Sequence, residues 1–226
     1  ATFRRSATGE VFTAGAGLVL GCDGAFSPVR AAMQKTDRFD YQQFYLAHGY
    51  KELHIPPATE CGVDERRHEG FALDPRALHI WPRGGAMMIA LPNRDKSFTC
   101  TLFWPFKGAH GFDGVETDEA VRGFFAEHYG DALPLMPTLE RDFATNPASA
   151  LVTVRCWPWQ VGGRVCVLGD AAHAIVPFYG QGMNCAFEDV ACLSECLARF
   201  GGDQAGALEE FQRQRKPAAD AIGAMA

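Results

Sequence analysis

Apolar residues change their spacing several times along this chain, and each change predicts an element. The run Leu18-Val19-Leu20 closes at Gly21-Cys22-Asp23-Gly24 and predicts a strand followed by a tight turn. Asp37 to Asp40 is a polar connection. A strand-like stretch then runs from Gln43 to Ile55 and ends at Pro56-Pro57. Residues 58–70 are polar and predict a loop. Three strand signals follow closely, Ala77 to Trp81, Ala86 to Leu91 and Phe98 to Phe103. Their spacers, Pro82-Arg83-Gly84-Gly85 and Pro92-Asn93-Arg94-Asp95, are short and rich in turn formers, so an antiparallel meander is predicted.

Thr117 predicts an N-cap, with Val121, Phe124, Phe125 and His128 at helical spacing behind it. After the Pro-interrupted stretch 134–147, Leu151 to Cys156 alternates as a strand. Arg164 to Leu168 is a compact apolar strand ending in Gly169-Asp170. Gly182 to Phe200 predicts a long helix. A last helix, Asp203 to Lys216, stops at Pro217, which lacks a backbone donor. The fold predicted is mixed, α/β with α+β character. Residues 1–40 and 151–226 form one domain, interrupted over 41–150 by an inserted antiparallel sheet and a helix.

Composition narrows the function. A hydrophobic share of 47% supports a real core, and a formal charge of -6 with no basic run excludes a nucleic-acid partner. A small anionic or zwitterionic ligand stays open, since one local arginine can hold a carboxylate. No stretch approaches the ~18 apolar residues of a membrane helix, and no basic-then-apolar leader is visible, so a cytoplasmic protein is expected. The cysteines include no C-x-x-C pair. Cys185, Cys192 and Cys196 share one helical face, and Cys166 lies inside an apolar strand. They read as buried reduced thiols rather than disulfides or metal ligands. The pattern carries no signal for oligomeric state.

Two glycine clusters invite a ligand reading. Gly15-Ala16-Gly17 with Gly21 imitates a dinucleotide fingerprint, but those glycines precede a strand instead of opening a helix, so a turn is the reading kept. The second cluster carries more. A buried strand delivers Asp170 to its carboxyl end, where open α/β sheets bind ligands. Asp170 either accepts hydrogen bonds from a polyol or ribose hydroxyl or serves as a helix cap. Gly180-Gln181-Gly182 then leads into a helix near Met183-Asn184, whose free N–H groups and positive end favour an anionic ligand.

The run from Gly169-Asp170 and His173 through Pro177 to Gly180-Gln181-Gly182-Met183-Asn184 resembles the second FAD-binding motif of the aromatic hydroxylase flavoproteins, a family of FAD-dependent monooxygenases. Gly21-Cys22-Asp23-Gly24-Ala25-Phe26-Ser27-Pro28-Val29-Arg30 is similar to the family's Asp-Gly motif, and Phe211 through Arg215 to Pro217 resembles its helix-ending pattern. Further strings, among them His48 to Pro57, Leu78 to Arg83 and Ile89 to Asn93, resemble a member acting on an aromatic amino acid.

The resemblance implies a doubly wound FAD-binding domain with an inserted substrate-binding sheet, and an internal fragment lacking the N-terminal βαβ unit that holds the ADP half of FAD. It implies FAD and NADPH as cofactors and O2 as co-substrate, with ring hydroxylation through a flavin C4a-hydroperoxide. A sister hydroxylase of another aromatic acid or phenol, or a non-catalytic flavoprotein fragment, is the alternative. Asp23, Gly24 and Arg30 are implied near FAD and the nicotinamide path, with the Asp and the Arg bracing each other. Gly169, Asp170, Pro177, Gly180, Gly182, Met183 and Asn184 are implied to hold FAD. Phe178 and Gln181 are expected to touch the substrate, and Leu53, Ile55, Trp81, Met87 and Met88 are candidates to line the ring pocket, against plain core packing. Arg83 either meets a carboxylate or caps a turn. No nucleophile or base is assigned, because the cofactor carries the chemistry, and His173 is read as structural.

Overall fold

The computed structural model describes residues 2–108 and 111–226. Residues up to Tyr45 join Val152–Ala226 in one compact unit, and Leu46–Leu151 form another. The first unit opens with a ribbon of β1 (Thr2–Arg4) and β2 (Val11–Thr13), antiparallel and exposed on every residue. Stacking of Phe3 on Phe12 at 5.5 Å is its main cross-strand contact. β3 (Val19–Gly21) and α1 (Pro28–Met33) follow, and β4 (Asp40–Ile55) carries the chain onward.

The second unit is built on the predicted meander. β5 (His79–Arg83), β6 (Ala86–Pro92) and β7 (Phe98–Pro105) pair antiparallel in sequence order, and β7 pairs antiparallel with β4. The sheet order is β5-β6-β7-β4, with β8 (Ser149–Trp157) beside β4. β5 extends through Pro82 and Arg83, which the sequence pattern assigned to the turn; Pro82 sits on an edge strand, where its missing N–H costs no ladder bond. α2 (Asp118–His128) begins at Thr117, whose hydroxyl accepts the Ala120 N–H at 3.2 Å. α3 (Leu139–Thr145) and α2 send Val121, Phe125, Leu139 and Phe143 into a core shared with one face of the sheet. Arg83 donates to the His128 carbonyl near the end of α2 and lies 3.7 Å from Asp131, a structural placement near a helix C-terminus.

In the first unit β10 (Val165–Val167) runs parallel to β3, with Val165 opposite Val19 and Val167 opposite Gly21, while β9 (Gln160–Val161) closes its other side antiparallel. A Cβ on Gly21 would lie 2.9 Å from side-chain atoms of both Val167 and Val29, so glycine permits this close approach. Beyond β10 come α4 (Asp170–His173), α5 (Gly182–Phe200) and α6 (Gln204–Met225). Cys185, Asp189, Leu193 and Cys196 form the buried stripe of α5, and Cys192 is half-buried at its edge. All the cysteines are free thiols; Cys22 is exposed, contrary to the expectation of general burial.

α6 corrects a second expectation, because it runs through Pro217 instead of stopping there. An interior proline costs about 3 kcal/mol. The second half of the helix is held by its own contacts: Ala219 is buried in the unit's core, Ile222 packs against it, and Arg155 donates to the Gly223 carbonyl at 2.8 Å. Lys216 and Asp220 add an ion pair one turn apart.

Candidate functional site

Two sequence motifs far apart in the chain meet at the carboxyl ends of neighbouring parallel strands. β3 ends at Gly21 and leads into the Asp23 turn; β10 ends at Val167 and leads into Gly169-Asp170. Asp23 takes the Ser27 hydroxyl at 2.5 Å and the Val29 N–H at 2.9 Å, and Ser27 caps α1 by accepting the Arg30 N–H at 2.9 Å. Arg30 is buried and donates to the Ala171 carbonyl at 2.7 Å, 141 residues away, and to the Ala25 carbonyl at 2.6 Å, with its guanidinium over the Tyr41 ring. The first motif's arginine thus clasps the second motif's short helix. Asp23 and Arg30 form no ion pair with each other; they are joined indirectly, through Ser27 at the N-terminus of α1.

Gly169 sits at φ 59°, ψ -145°, a conformation essentially reserved for glycine, and a Cβ there would meet Ala186 at 3.2 Å. Next to it Asp170 is exposed, and its carboxylate engages no partner among the described residues. It is free to accept hydroxyl donors. Directly below lies a buried cluster that sequence reasoning missed. Asp189 accepts from the Gly169 N–H at 2.9 Å, His173 Nε2 at 2.5 Å and Arg215 Nε at 2.8 Å. Burial works against a charged His173, but the bond and charge of Asp189, with Cys185 beside it, outweigh that and push its pKa up to about 9. Burial likewise opposes a charged Asp189, yet His173, Arg215 and the Gly169 N–H hold it below the usual carboxylate range. The available signal was a carboxylate at helical spacing on an apolar stripe, four residues from both Cys185 and Leu193.

Pro177, Phe178 and Tyr179 form a single 3-10 turn, exposed on one side of the site, and Gly180 follows in the left-handed region at φ 62°. Gln181 is the N-cap of α5, and no side chain caps that end, so the first-turn N–H groups near Gly182, Met183 and Asn184 stay open to a ligand. The Gln181 side chain accepts from Asn184 Nδ2 at 3.0 Å. At Gly24, φ is 80° and an added Cβ would meet nothing within 4 Å, so the Asp23 turn is open as well.

In the second unit the structure buries four of the five predicted ring-pocket residues. Leu53, Ile55, Trp81 and Met88 are 2%, 0%, 8% and 0% exposed and pack in the core beneath the helices, with Trp81 Nε1 donating to Asp131. Each such burial contributes roughly 1.5–3 kcal/mol. Strand alternation sends their neighbours the other way. Tyr50 and Met87 flank Phe103 on the opposite, more open face, where Phe103 itself is buried, and Glu52, Thr101, Ile89 and Ile80 form the next row. Met87 alone of the named pocket candidates lies on that face.

This arrangement is that of a nucleotide-cofactor α/β unit joined to an antiparallel sheet, and the chain belongs to the FAD binding domain family, whose pattern matches residues 1–226. Kynurenine 3-monooxygenase of Dictyostelium discoideum is 49% identical over 223 residues, covering 93% of this chain and 47% of that protein. The enzyme of the same name from Flavobacterium psychrophilum is 48% identical over 205 residues, 91% of this chain and 44% of its own length. The chain therefore spans about half the length of the curated relatives it matches. The structure of 2-methyl-3-hydroxypyridine-5-carboxylic acid oxygenase superposes with a TM-score of 0.72 at 24% identity, over 96% of this chain and 54% of that one, which shows a shared fold.

Proposed function

We propose that this chain is the part of an FAD-dependent aromatic hydroxylase that holds the flavin and the substrate ring, and that the intact protein converts L-kynurenine to 3-hydroxykynurenine with NADPH and O2. The observation that carries the cofactor half is the meeting of the Asp23 and Asp170 turns at the ends of the parallel strands β3 and β10. The residues there fit FAD. Asp170 offers an exposed carboxylate to ribityl hydroxyls, and the uncapped start of α5 offers N–H groups and a positive dipole to the electron-rich edge of the flavin. Pro177 and Phe178 supply apolar contact, and Gln181 supplies a polar one.

FAD held by Asp170 and the start of α5 would supply the redox chemistry, coupling NADPH oxidation to insertion of one atom of O2 into the ring while the other leaves as water. The protein's share is binding, orientation and exclusion of water. For the substrate, identity near one half with enzymes named kynurenine 3-monooxygenase supports the choice. The ring amine of kynurenine activates the adjacent carbon, so no strong base is needed. His173, buried against Asp189 and Cys185, is unsuited to that role. Met87 and Ile89, half-buried on the open face of the sheet, offer the apolar contact an aromatic ring requires.

The test is NADPH oxidation by the intact protein with and without kynurenine, with the product weighed by mass spectrometry. Kynurenine-stimulated oxidation and a product one oxygen heavier are expected. Bound flavin with no response to kynurenine would move the assignment to another aromatic substrate, and absence of bound flavin would overturn it altogether.

A further inference from the structure

The buried cluster around Asp189 is a costly way to hold helices together. Its carboxylate is 0% exposed, and its partners His173 and Arg215 are nearly as deep. Burying charges costs several kcal/mol per ion, and apolar replacements of similar volume are often as stable, so helix packing alone gives no reason for it. One donor in the cluster is different in kind. The Gly169 N–H belongs to the backbone of the turn that presents Asp170, 20 residues before the carboxylate that receives it. Arg215 directs its other donors to the Cys185 carbonyl and to Glu188, which ties α6 to the first turns of α5. His173 closes the ring from the far end of α4. Gly169 is thereby held from below by a fixed acceptor, and the space beside it is so narrow that an added Cβ would lie 3.2 Å from Ala186.

We propose that Asp189, with His173 and Arg215, forms a positioning network that fixes Gly169 and so aims the Asp170 carboxylate at the cofactor. The proposal rests on the FAD reading above. None of the three side chains touches the cofactor in this scheme; they act through one backbone N–H, and Asp170 is the group that makes contact.

A double-mutant cycle on FAD affinity in the intact protein tests it, read by quenching of flavin fluorescence on binding. Asp189→Asn keeps the shape and removes the charge; Asp170→Asn removes the contact itself. If Asp189 works through Asp170, Asp189→Asn weakens FAD binding on the order of tenfold in the native background and by less than about threefold in the Asp170→Asn background. Equal losses in the two backgrounds would mean that Asp189 serves only general stability and would overturn the proposal. A native protein that binds no FAD would instead sink the cofactor reading, a distinguishable result that takes the proposal with it. Should Asp189→Asn not fold, His173→Gln, which leaves Asp189 paired with Arg215, carries the same comparison. Failure of both variants to fold would make the cluster a folding requirement, again against the proposal.

Discussion

Neutralising His173 should cost the first unit stability in a pH range where histidines are ordinarily already neutral. In the unfolded chain its imidazole titrates near 6.5, and in the folded protein near 9. A group whose folded pKa is raised stabilises fully below its unfolded pKa and loses that contribution as pH rises through the folded value. The window is therefore about pH 6.5 to 9, and the contribution at its lower edge is about 3 kcal/mol. The groups facing the ring are Asp189, Cys185 and Trp159, with Arg215 joined to the far oxygen of Asp189. Asp189 has the opposite sign. Its depressed pKa gives stability present above the ordinary carboxylate value of 3.8 and lost as pH falls through the folded one. Since both shifts express one ion pair, their energies are not added.

The assay has two arms. A proton–carbon NMR titration follows the His173 ring directly, and its midpoint should fall near 9. Urea unfolding at about pH 6.5 and pH 9 should show a fall in stability on the order of 3 kcal/mol in the native protein. In His173→Gln that fall should largely vanish, the loss being already present at the lower pH. A ring that titrates at or below 6.5 would refute the reasoning, because burial would then have outweighed the pair. So would equal pH dependence in the native protein and the glutamine variant.

Three further outcomes separate core from surface and strain from tolerance. Met88→Ala should cost about 2–5 kcal/mol in chemical denaturation with little change in the intact protein's KM for the proposed substrate, kynurenine, whereas Ile89→Ala on the open face should raise KM and cost under about 1 kcal/mol; the reverse pattern would return Met88 to the pocket. Gly21→Ala should destabilise by about 1–3 kcal/mol, as a Cβ would meet Val167 and Val29 at 2.9 Å, and a neutral result in thermal unfolding would contradict that packing. Pro217→Ala should raise the urea midpoint, gaining up to about 3 kcal/mol by restoring a donor inside α6; a loss would show that proline shapes the helix usefully.

What could be read from the residues follows where local chemistry is decisive. The ends of α5 were legible because Gly182 and Phe200 bracket an unbroken helical pattern, and the meander was legible because its spacers are too short for anything but hairpins. The Gly169-Asp170 turn was legible for the same reason, a buried strand meeting a glycine. The open face of the sheet was not. Met87, Met88, Ile89 and Ala90 are all apolar, so the run carries no alternation, and a slip of one residue exchanges core for surface. Only the register with Thr101 and Phe103 decides it, and that partner lies in another strand. Asp189 failed for a related reason. A carboxylate on an apolar stripe conflicts with the helix around it, and the resolution came from Arg215 on the next helix and from His173 and Gly169 across a loop. Conflicts between local pattern and burial mark where tertiary partners, absent from any local window, decide the outcome. Here that mark falls on the residues assigned to placing the cofactor turn.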